Sequence, residues 1–146
     1  MVRILGLLGC ALACLAALGC DSGYAPHIEF GHDYNGYARR VMDTTSDFHL
    51  NDPFTMQVFN EGEFQSDSLE IVVYRGTAAM HGELLFTQKI MVQPNSKDMI
   101  VRGTSNKPLS ARGFLRTSAV GSYFLEARDG DRFIAGKELK LHNSKE

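Results

Sequence analysis

Beyond position 20 the chain has no cysteine, and it has no tryptophan anywhere. Its three cysteines, Cys10, Cys14 and Cys20, all fall in the first twenty residues, so the rest of the chain can form no disulfide and offers no thiol nucleophile. An excess of one charge is missing as well. With Arg3 set aside, 14 of the 15 lysines and arginines stand against 17 acidic residues, a balance of about −3. That balance excludes a basic nucleic-acid surface and an acidic disordered tail. Long apolar runs are also lacking. The one candidate, Ile4 to Leu18, covers about 22 Å as a helix against a hydrocarbon core of about 30 Å, and glycines at 6 and 9 weaken it further. The chain has no nucleophile elbow, no His-Glu-x-x-His pair, no phosphate-cradling glycine loop, no internal repeat and no low-complexity tract.

What is present begins with the layout of an export signal: cationic Arg3, the apolar run, then small residues leading into Cys20. The segment Ala17-Leu-Gly-Cys20 resembles the lipobox of bacterial lipoproteins, with Ala17 where that family prefers Leu. The resemblance implies that Cys20 is acylated, becomes the new N-terminus and holds the protein to a membrane of the cell envelope. Cleavage at Cys14 would shorten the apolar run and leave a greasy tail, and cleavage at Cys10 would leave almost no signal. An ordinary signal peptide is the alternative. Asp21 resembles an enterobacterial inner-membrane retention signal, a rule other bacteria ignore, so the choice of membrane stays open. The expected organisation is a signal over 1–19, a flexible tether over 20–27 and one domain over 28–146, about 127 residues after cleavage.

Short runs rich in Val, Ile, Phe, Tyr and Thr recur every 10 to 15 residues or so, separated by Gly, Asn, Asp, Pro and Ser. In Phe54–Asn60, Phe54, Met56 and Val58 share a face, the period of a half-buried strand. Leu69–Arg75 is apolar on both faces, as in a central strand. Leu84, Phe86, Ile90 and Val92 share one parity, and Asp98–Arg102 makes a shorter strand. Asp129-Gly-Asp131 joins the last two strands in a hairpin, with Tyr123, Leu125 and Ala127 facing Phe133, Leu139 and Leu141. No capped helical period is expected. The pair Gly121-x-Tyr123 resembles the tyrosine corner of immunoglobulin-like domains. That implies an all-β, antiparallel Ig-like or fibronectin-III-like sandwich of seven to nine strands over roughly Phe30 to His142. A small barrel competes.

Five histidines and several methionines in an exported chain raise copper, through Met80-His81 or His27 with His32, but the spacing is not that of a metal site and Met56, Met91 and Met99 read as packing residues. Asp129-Gly-Asp131 lacks the further ligands of a calcium loop, and Asp43–Asp47 reads as a polar loop. Binding is expected on loops: Asn60–Phe64, Gly76–Gly82 and Ser105–Pro108, with Phe64 and Met80 folding back over the sandwich ends. The reading is a lipid-anchored, non-catalytic protein-binding or assembly module with no cofactor, an envelope protein as partner and Cys20 as its one assigned residue. A periplasmic copper-binding protein and a small hydrolase assembled from separate loops are the alternatives.

Overall fold

A computed structural model describes residues 25–144. The strands are β1 (His27–Asn35), β2 (Arg40–Thr44), β3 (Asp47–His49), β4 (Thr55–Phe59), β5 (Ser68–Gly76), β6 (His81–Met91), β7 (Asp98–Arg102), β8 (Gly121–Asp129) and β9 (Arg132–His142), with one short helix, α1 (Ala111–Leu115), between β7 and β8. They form a four-stranded sheet in the order β2-β1-β4-β7 and a five-stranded sheet in the order β3-β9-β8-β5-β6. Pairings are antiparallel except β3 with β9. Alternate side chains fill the space between the sheets: Ile28, Phe30, Met56 and Val58 from one, Leu69, Ile71, Val73, Tyr123, Leu125, Leu139 and Leu141 from the other. The chain leaves the first sheet after β2 and enters the second as β3, parallel to the last strand, which is how the opening strand of an immunoglobulin domain passes between its sheets. Tyr123, buried at the start of β8, donates its hydroxyl proton to the Ala119 carbonyl just upstream. Strand order and tyrosine corner together make this an Ig-like β-sandwich.

Two irregularities move side chains from their expected faces. The β8–β9 ladder slips between Ala127 and Arg128, where Ala127 pairs with Ala135 but Arg128 pairs with Phe133. The extra residue, Ile134, reverses the alternation, so Ile134 and Ala135 are buried and Phe133 is 55% exposed rather than facing the core. A similar slip in the β5–β6 ladder, from Val73↔Phe86 to Tyr74↔Leu84, leaves Leu84 54% exposed while Leu85, Phe86 and Ile90 pack against the core. The helix was also not expected. Ser110 caps it by accepting from the Gly113 amide, and it is too short to show a period in sequence.

The β1–β2 hairpin is folded onto the outer side of β4. A side chain at Gly31 would collide with the Met42 carbonyl and the Val41 side chain, so this approach requires glycine. Gln57 points outward from β4, yet the hairpin buries it completely. Its carboxamide accepts from the Val41 amide (3.1 Å) and donates to the Arg39 carbonyl (3.0 Å) and to Asp98 (2.8 Å). One polar side chain thus supplies the hydrogen bonds that a covered sheet face needs.

Candidate functional site

Cys20 and the leader lie outside the described residues. The remaining sequence-predicted residues are dispersed. His27 stacks on Phe59 at the start of β1, and His81 lies between Tyr74 (4.9 Å) and Phe124 (4.7 Å) on the outer face of the five-stranded sheet. Among the described residues no three His, Cys, Asp or Glu side chains are placed to hold a metal ion. Asp129 is buried in the β8–β9 turn and accepts from the Gln65 amide (2.7 Å), the Ser66 amide (2.9 Å) and Arg132 (3.1 Å). Burial opposes its ionisation. The hydrogen bonds from Gln65, Ser66 and Arg132 outweigh that and hold the carboxyl below the usual aspartate range. Phe64 packs against the core as expected. Met80 does not fold back: the Ala78 amide ties its loop to Glu138 (2.7 Å), and the methionine is left 77% exposed.

Three histidines and three aspartates meet where β1, β2, β3 and the end of β9 come together. Asp43 accepts from His32 Nδ1 at 2.6 Å, although its backbone is left-handed with a φ of 51°. Asp52 accepts from the His49 amide at 2.8 Å, and its same oxygen lies 3.3 Å from His49 Nδ1 and 3.6 Å from His32 Nε2. His142 Nε2 meets Asp47 at 2.9 Å. Of these histidines only His32 was singled out from sequence. His49 and His142 are joined by the parallel β3–β9 register, in which they are direct partners.

Beside this group a cleft of about 160 Å³ opens where β1 turns away from β4 after Gly31. Its walls include Tyr34 of β1, Thr55 of β4 and Arg102 of β7, with Phe54 and Leu109 among its apolar lining. The Arg102 guanidinium lies over the Tyr34 ring, 4.8 Å from its centroid. No sequence signal links Tyr34 to Arg102; the hairpin fold brings them together.

The fold defines the class: an Ig-like β-sandwich, an architecture that hosts many functions. No known protein family and no curated protein matches the chain. Among solved structures, an immunoglobulin-like protein from Pseudomonas aeruginosa resembles it with a TM-score of 0.47 and 15% identity, over 79% of this chain and 91% of that one. A β-glucosidase from Listeria innocua, solved with gluconolactone, has a TM-score of 0.37 and 12% identity over 83% of this chain, and the match spans 17% of the glucosidase.

Proposed function

We propose that this is a lipid-anchored protein of the bacterial cell envelope whose sandwich acts as a non-catalytic protein-binding or assembly module. The observation that carries the reading is the apolar leader ending in Cys20, after which no cysteine follows. Acylation would consume the one thiol left after cleavage. Several acyl chains make attachment stable, since each buried methylene contributes about 0.8 kcal/mol. Strand β1 begins at His27, so the linking residues reach at most about 24 Å and the body stands close to the bilayer. For an envelope partner the body offers the tip of the β1–β2 hairpin, where fully exposed Tyr37 precedes Arg39 and Arg40, residue types that dominate interface energetics.

The test is intact mass and membrane fractionation of the protein expressed in a bacterial host, beside Cys20→Ala. Acyl mass and detergent partitioning of the wild type alone support the anchor; a soluble, unacylated wild type overturns it. Partner capture should then fall at least tenfold with Tyr37→Ala.

The hydrolase reading draws some support from the His32–Asp43 and His142–Asp47 pairs. Neither histidine is hydrogen-bonded to a hydroxyl nucleophile among the described residues, an arrangement that acyl transfer by a serine or threonine requires. Ester hydrolysis abolished by His32→Ala would favour it.

A further inference from the structure

We propose that the cleft between β1, β4 and β7 is a carboxylate-binding site with Arg102 as its recognition residue. The inference is independent of the lipid anchor. Arg39, Arg40, Arg128 and Arg132 each lie against a carboxylate, on Asp98, Glu29, Glu126 and Asp129. Arg102, like Arg116 over Phe86, lies over an aromatic ring instead and forms no ion pair among the described residues; of the two only Arg102 lines a cleft. A guanidinium held over a ring spends none of its N–H groups on an ion pair, and its planar fork matches the two oxygens of a carboxylate.

The surroundings are built for a small group. Thr55, almost fully buried, and Thr104 are among the lining residues, with Pro53, Phe54, Pro108 and Leu109 beside them. About 160 Å³ suits a headgroup or a single residue, not a folded partner. The wall behind Arg102 is fixed: a Cβ at Gly103 would strike the Leu109 nitrogen and Pro108, and Thr104 and Lys107 exchange backbone hydrogen bonds. The Leu109 carbonyl accepts from the Phe54 amide at 2.9 Å. A rigid site loses little entropy on binding. Of the other charged groups on the lining, Asp33 accepts from the Tyr34 amide at 2.7 Å and keeps its negative charge, and His32 Nδ1 is held by Asp43, so attraction for a carboxylate falls to Arg102. Arg102 is the one lining cation without a carboxylate beside it.

Two sources share this chemistry, a peptide C-terminus and an acidic sugar. The full chain, kept in detergent, is titrated with N-acetylalanine and with glucuronate, beside their neutral counterparts N-acetylalanine amide and glucose and beside inorganic phosphate, following by NMR the backbone amides of Thr55 and Gly103, which line the cleft and are present in every variant. We expect saturation with a Kd of about 1 mM for at least one carboxylate, weak or absent binding of the neutral compounds and of phosphate, and at least tenfold loss with Arg102→Ala. Arg102→Lys, which keeps the charge and loses the fork, should bind between the two and melt like the wild type. The carboxylate that saturates identifies the source. No saturation, equal binding of the neutral compounds or of phosphate, or unchanged binding by Arg102→Ala overturns the proposal.

Discussion

Asp129 shows how much one side chain in a turn can hold. Its position in an Asp-Gly-Asp hairpin is explained by turn preference alone, yet its carboxylate also clamps the β4–β5 loop by capping two successive amides. Asp129→Ala leaves both donors without an acceptor, so we expect a loss of about 2 kcal/mol, a melting temperature lower by roughly 8 °C by calorimetry. The pH dependence has a fixed sign. Because the folded carboxyl titrates below the unfolded value of about 3.9, its contribution is fully present above that value and is lost as pH falls through the folded one. Melting curves between about pH 2 and pH 5 should therefore be less steep in pH for Asp129→Asn than for the wild type. At the other end of the same strand, Tyr123→Phe removes only the hydroxyl bond to Ala119, for which we expect about 1 kcal/mol in urea unfolding with an unchanged m-value.

At the scale of elements, the strands whose faces differ plainly in polarity were readable. Strands β4, β7 and β8 occupy the expected segments because Phe54, Met56, Val58, Tyr123 and Leu125 repeat at period two. Parity failed where a bulge adds a residue, at Ile134 and Leu85, since nothing local in Phe133-Ile134-Ala135 marks which of three adjacent apolar residues is the supernumerary one. Strand β1 was harder still. Its first half pairs with β4 and its second half with β2, so no single alternation runs through His27–Asn35. The cleft inherits that obscurity, because it exists only where the strand changes partner. Gly31 is where that change is made possible. Gly31→Ala should push the hairpin off β4 at a cost of about 2 kcal/mol and expose Gln57, and amide hydrogen exchange at Val41 should speed up accordingly.

For the whole molecule, the sandwich class was legible from strand number and one corner, whereas the His–Asp group was not. His32 and His49 meet on Asp52, and His142 joins them only through the parallel pairing of β3 with β9. The core is likewise dominated by contacts far apart in sequence, and a domain of this kind is expected to refold in milliseconds to seconds, which a stopped-flow chevron would measure. Strand β9 is the last of the described strands and yet lies inside its sheet, between β3 and β8. A polypeptide made from its N-terminus therefore cannot seat β3, close the core over Phe48 or complete the ladder of β8 until residues 132–142 have been delivered. Until then β8 has an open edge and β3 has no partner strand. A product that ends before residue 132 therefore lacks an inner strand, and we expect it to show no cooperative unfolding transition.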